Sequence, residues 1–401
     1  MKRVVWFVTV LVALSVLPAF ASNPPKEGAI CSKQGATKIL KNKKYTCIKN
    51  GKKLLWSKGV VIARAQPATS ATPTMTLSPS PTPTSIPTST PTPSPKIYPY
   101  LTFETLVENS ELVPLIAWQA GVRKLSTPSK KIEITISVGP NSVSLNKDPY
   151  DVIAKVSSLY SESTQPDKLT ILHFGQQDKD WAWKFGSDYL QTTGTFSRDW
   201  LDDWACPSSV RCWGAGSYTT GTPDKHLIVI ATGVSHPSHF DGNVEAHEFT
   251  HNIQQLIMKA PQPWPLKQPW PPMWFTEGQA NFAAMIYVGK TFEEYGKSRI
   301  KIFANSYRNK AVTKESIETF IRSSYSSGIT SSDFWNQYEI GSAFIEILNA
   351  IAGPDKSMEI WTFAQQGMPF EKSFEKVYGV SLEKVAPVMA ETIYKILNPA
   401  N

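Results

Sequence analysis

Residues 65–97 constrain this chain more than any other stretch, because the run AQPATSATPTMTLSPSPTPTSIPTSTPTPSPK sets nine prolines among threonines and serines. Proline fixes φ and lacks a backbone donor, so such a run neither continues a helix nor enters a sheet interior. Few of its side chains can join a core. The tract is expected to be an extended, partly polyproline spacer, open to glycosylation. It divides the 401 residues into a short piece and a long piece that fold and move independently.

The N-terminus reads MKRVVWFVTVLVALSVLPAFAS, with Lys2 and Arg3 ahead of an apolar run and the small-x-small pattern Ala19-Phe20-Ala21 at its end. That order is expected of a secretory signal peptide over residues 1–21. The competing reading is an uncleaved anchor, for which the apolar run is short. No cysteine stands at the cut, which argues against a bacterial lipid anchor. No other stretch is long and apolar enough to cross a bilayer, so the expected product is secreted, extracellular or wall-associated, without a membrane span after cleavage. Export gives the four cysteines a meaning. Cys31 with Cys47 and Cys206 with Cys212 are expected as two local disulfides, since no C-x-x-C pair exists to build a cysteine-only metal site.

Residues 22–64 carry ten lysines and one arginine against a single acid, Glu27. The net charge of the whole chain is only +8, so the basicity is local and the rest is mildly acidic. CSKQGATKILKNKKYTCIKNGKKLLW reads as a pair of short strands stapled by Cys31–Cys47, with Tyr45 and Trp56 as core residues. A module this small needs such a staple. Its positive face fits anionic cell-wall polymer, glycan or lipid headgroups, and a plain solvated charge run is the alternative. Nucleic-acid binding fits an exported chain poorly.

Residues 98–401 read as one α+β unit, mixed with sheet in its first half and mainly helical in its second. Helical periodicity marks FETLVENSELVPLIAWQAGVRKL, and DPYDVIAKVSSLYSES reads as a helix capped by Asp148. KIEITISV, KLTILHFG and KHLIVIAT are short β-branched runs and hence strands. After residue 240 the pattern is helical. Residues 98–200 are either a pro-region or part of this fold.

On the stretch VEAHEFTHNIQQ, His247 and His251 stand one helical turn apart and project from one face, so two imidazoles can meet one zinc ion. Glu248 lies about 100° around the helix, where it can reach a water beside the ion without ligating it. A catalytic zinc site needs a third protein ligand and an open fourth position. Downstream, Pro271 and Pro272 suit the start of a second helix, with Glu277 on its first turns.

HEFTH followed 26 residues later by Glu277 within WFTEGQA resembles the gluzincin metallopeptidases, of peptidase MA type. The resemblance implies a zincin-like domain in which His247, His251 and Glu277 ligate zinc and Glu248 is the catalytic base. The metzincin pattern fails, because Gln254 and Ile257 stand where it needs glycine and histidine. WNQYEIGSAF adds Tyr338 at the place where the family carries an oxyanion-stabilising tyrosine, with a core tyrosine as the alternative. Asn281, one turn past Glu277, can partner a ligand histidine. The aminopeptidase branch's glycine-rich grip on a free amino terminus is missing, which favours an endopeptidase. KHLIVIAT precedes the zinc helix as the substrate-pairing edge strand does in that family.

The expectation is a secreted zinc peptidase acting on protein or peptide substrates. Its competitors are a zinc hydrolase of cell-wall material and an inactive surface-binding protein on the same scaffold. The loop KAPQPWPLKQPWPPMW, with Trp264, Trp270 and Trp274, either lines a specificity pocket or caps the core. His236 and His239 are minor candidates for the site, and His173 and His226 read as structural.

Overall fold

A computed structural model describes residues 97–191, 196–263, 265–303, 312–323, 325 and 334–398, and nearer the N-terminus residues 26, 28–31, 34, 37–40, 43–51, 53–58 and 60–61. The expected signal peptide, the spacer apart from Ile97, and Trp264 lie outside the described residues. The chain forms two units, the first ending at Pro91.

The first unit is a small antiparallel sheet of β1 (Thr37–Leu40), β2 (Lys43–Asn50), β3 (Lys53–Trp56) and β4 (Val60–Val61). β2 is central and pairs with the other three. Four strands form where the sequence implied two, because the short apolar pairs Ile39-Leu40 and Val60-Val61 carry too little pattern to be seen alone. Cys31 is bonded to Cys47, and these two with Trp56 are the buried apolar residues of this unit among those described.

The second unit is α+β, as its sequence pattern implied. Its sheet runs β5 (Glu133–Val138), β6 (Lys168–Phe174), β8 (His226–Ala231), β7 (Ala215–Thr219), with the first three parallel and β7 antiparallel to β8. β6 and β8 are buried on both faces, which explains their continuous apolar runs. The strand period of two sends Leu169, Ile171, Ile228 and Ile230 into the large core, and Leu172, Phe174, Leu227 and Val229 into a smaller one on the other face. The smaller core is closed by α3 (Lys179–Leu190) and by the Cys206–Cys212 loop.

The large core is built from α1 (Val113–Leu125), α2 (Pro149–Leu159) and the C-terminal helices. These are α4 (Asn243–Met258), α5 (Met273–Val288), α6 (Phe292–Phe303), α7 (Lys314–Arg322), α8 (Asn336–Ala352), α9 (Pro354–Gln365), α10 (Phe370–Tyr378) and α11 (Leu382–Leu397). Asp148 caps α2 as its sequence suggests, its Oδ1 accepting from Asp151 N at 3.1 Å. The described part of residues 98–200 packs into this fold: it supplies β5 and β6 and buries Leu106, Val113 and Val156 in the common core.

One expectation is corrected. KHLIVIAT (β8) lies between β6 and β7 with both edges occupied, so it cannot accept a substrate strand. The edges are β5 and β7; the one next to β8 is β7, whose sequence AGSYT lacks the apolar alternation that marks a strand. Of the two readings of the tryptophan loop, burial favours the core for the two described tryptophans: Trp270 and Trp274 are 6% and 0% exposed, packed edge-on against Trp361 and against Phe344 and Phe370.

Candidate metal centre

α4 starts at Gly242, whose φ of +81° favours glycine and whose place admits no side chain. A Cβ there would stand 2.6 Å from Tyr287 and Val152. Asp241 closes the turn, its Oδ1 accepting from Asn243 N at 3.1 Å. The α4 packing against α5 puts His247 beside Asn281 and, two turns on, Gln254 beside Thr276.

α5 and α8 approach backbone to backbone. A Cβ on Gly341 would lie 1.9 Å from the Trp274 carbonyl oxygen, and one on Gly278 would lie 2.4 Å from that of Gly341. Both positions are held for glycine by this crossing, not by a turn. It carries Glu277, next to Gly278, up to Tyr338, one turn before Gly341.

The result is a convergence of three ligand atoms. His247 Nε2 and His251 Nε2 are 3.1 Å apart, and Glu277 Oε2 lies 3.2 Å from the first and 3.4 Å from the second. Among the described residues this is the cluster of histidine, cysteine and carboxylate donors able to hold a metal ion. The other sides of the rings are anchored. His247 Nδ1 is 3.0 Å from Asn281 Oδ1, and His251 Nδ1 is 2.8 Å from Gln254 Oε1.

That anchoring tests whether the residues fit a metal. Amide oxygens only accept, so each Nδ1 donates and each Nε2 turns a lone pair toward the centre. Two lone pairs and a carboxylate oxygen cannot share so small a space without positive charge between them. Burial alone would lower His251, yet the Glu277 carboxylate raises it to about 9. Burial alone would raise Glu277, yet the two imidazoles hold it well below the usual carboxylate range. A cation satisfies all three donors at once. A tetrahedral ion with bonds of about 2.1 Å sets its ligand atoms roughly 3.4 Å apart, close to the spacings found here.

The surroundings are equally ordered. Asn281 Nδ2 donates to Ser342 Oγ at 3.0 Å, and Ser342 in turn donates to the Tyr338 carbonyl. Gln254 Nε2 donates to the Thr276 carbonyl and to Gln279 Oε1, which also accepts from Trp361 Nε1 at 2.6 Å. Glu248 is 8% exposed, and burial raises its pKa against the pull of the two imidazoles. The Tyr338 hydroxyl is pushed far up by burial and by Glu277, to which it is hydrogen-bonded, and its ring lies 6.5 Å from that of His247. Tyr218 of β7 is also raised, by burial and then by the nearby Glu248 charge.

His247, Glu248, His251, Glu277, Asn281 and Tyr338 therefore gather here. His236 caps, and His239 ends, a three-residue helix; His236 stacks on Trp213 at 5.4 Å and His239 Nε2 meets the Trp213 carbonyl. His173 and His226 are buried strand residues. Sequence reasoning missed Gln254, Ser342 and Tyr218. Gln254 sits three residues after His251, a spacing that places it on the same helix face and could have revealed it.

Compared with protein-family models, curated proteins and solved structures, the chain matches none of them. The fold and the ligand triad thus rest on this chain alone.

Proposed function

We propose that this chain is a zinc-dependent peptidase, exported, with a gluzincin-like site. The observation that carries the reading is the meeting of His247, His251 and Glu277, with the buried Glu248 beside them and outside that donor group. Two imidazoles and one carboxylate are the donor set of a catalytic zinc with an open position, whereas structural zinc sites are closed by four protein ligands.

His247, His251 and Glu277 would hold the ion, which when bound acidifies a water and polarises a carbonyl. Glu248 takes the proton from the attacking water and passes it to the leaving amine, and its raised pKa suits both halves of that task. Tyr338, on the side of Glu277, presents a hydroxyl that can donate to the oxyanion as it forms. Asn281 and Gln254 keep both rings oriented. Substrate backbone is placed along β7, the sheet edge beside α4. Among the described residues no further strand pairs with it, though Asn252 Nδ2 and Gln255 Nε2 of α4 reach the Tyr218 and Ser217 carbonyls, each at 3.4 Å.

The test is a peptide-library digest by the purified protein. Cleavage abolished by a chelator, restored by zinc and lost in Glu248→Gln with the metal retained would establish the reading. Bound metal without cleavage of any peptide, but with release from cell-wall material, would replace it with the wall-hydrolase alternative.

A further inference from the structure

The proposed peptidase leaves the basic module without a role, and the sheet of that module has one open face. Tyr45, Cys47, Leu54 and Trp56 gather on one side with the disulfide. On the other side, Leu55 of β3 stands opposite Ile48 of β2 and, across the other edge, opposite Ile30. Directly opposed residues share a face. Three aliphatic side chains therefore form a row across three adjacent segments.

That row is not packed away: Ile30 is 78% exposed, Ile48 46%, and Leu55 is half-buried. Lys53, two residues before Leu55, stands on the same face and is exposed, as are Lys26, Lys49 and Lys58 around the module. A solvated charge run has no use for an aliphatic row. A soluble polyanion would neutralise the lysines and leave Ile30 and Ile48 in water. A lipid interface with negative headgroups receives both, since apolar groups enter the acyl boundary and cations meet the surface potential. The excess of ten lysines and one arginine over one acid supplies the charge complement.

We propose that this open face docks on an anionic lipid surface, with Ile30, Leu55 and Ile48 inserted and the lysines engaging headgroups. Docking needs neither metal nor turnover, so its failure is distinguishable from failure of the peptidase reading.

The experiment is co-sedimentation of the protein, recovered after export, with vesicles of phosphatidylcholine containing 30% phosphatidylglycerol, or of phosphatidylcholine alone. Expected are binding to the anionic vesicles at least tenfold tighter than to the neutral ones, and a fivefold or greater loss in Ile30→Ser/Ile48→Ser. Because both isoleucines are exposed, that variant should keep its Cys31–Cys47 disulfide, as thiol titration would show, and Lys53→Gln/Lys58→Gln serves as a second variant that reduces binding through charge alone. Binding to soluble polyphosphate with none to anionic vesicles would overturn the proposal in favour of a polymer. Vesicle binding that the isoleucine change leaves untouched would overturn the insertion geometry.

Discussion

The two units of this protein solve opposite problems with charge. In the first, exposed lysines surround a sheet whose buried apolar residues, among those described, are Cys31, Cys47 and Trp56, with one disulfide between the cysteines. In the second, polar groups are drawn inward. Glu277, Glu248, His251, Gln254, Gln279 and Asn281 are all at most 9% exposed, and the two imidazole rings are held by the amides of Asn281 and Gln254. A small sheet cannot desolvate charge and must display it. A large core can afford a buried, pre-oriented donor cluster because its neighbours are already fixed by packing.

The most severe way to break this comparison is at the helix crossing. Gly341→Ala should cost about 3 kcal/mol or more, because the Trp274 carbonyl is backbone and cannot swing aside. Melting of the large unit should fall, and metal binding should fall with it. The first unit should be unaffected, as limited trypsin digestion would show. An unchanged melting temperature would mean that α5 and α8 are not in contact through these glycines.

Next in size, Cys31→Ser/Cys47→Ser removes a staple worth about 3 kcal/mol for a loop of this length. The lysine-rich module should then become rapidly cleavable by trypsin while the large unit melts as before. Equal destabilisation of both units would contradict their independence.

Acid should separate them further. His173 and His226, both buried in strands, are pushed down to about 4 by burial, so the folded state keeps them neutral. The unfolded chain binds those protons below about 6.5, so stability is complete above that pH and drains away between 6.5 and 4, by up to about 3 kcal/mol per group. The melting temperature of the large unit should fall across this window, and His226→Leu should flatten the fall. The lysines of the module do not titrate there, so its disulfide-bonded sheet should persist. A flat profile in the parent protein would refute the assignment.

The smallest expected effect sharpens the account of the site. Asn281→Ala deprives the His247 Nδ1–H of its acceptor and should weaken metal binding by roughly 10- to 100-fold, with folding little changed. Calorimetric titration of the ion measures this directly.

What was legible in the sequence follows from how local each cause is. The spacing of His247 and His251 is a property of one helix, so it could be read outright. Glu277 and Tyr338 come from other helices and were reached through resemblance, because nothing local tells a glutamate which histidines it will meet. The role of Gly278 and Gly341 was invisible, since a glycine demanded by a neighbouring backbone looks like any other. β7 was missed because its Ala-Gly-Ser segment is shaped by its partner strand and by α4, and its own pattern is silent. Gln254 was seen only as the residue that broke another family's pattern, although it is what orients His251.

The central claim is that three side chains from two helices share one cation. Metal analysis by mass spectrometry of the purified protein, beside Glu277→Ala, measures it most directly. One equivalent of zinc per chain in the parent and almost none in the folded variant is the expected result. A parent without metal after incubation with zinc, or a variant that keeps the full equivalent, would contradict it.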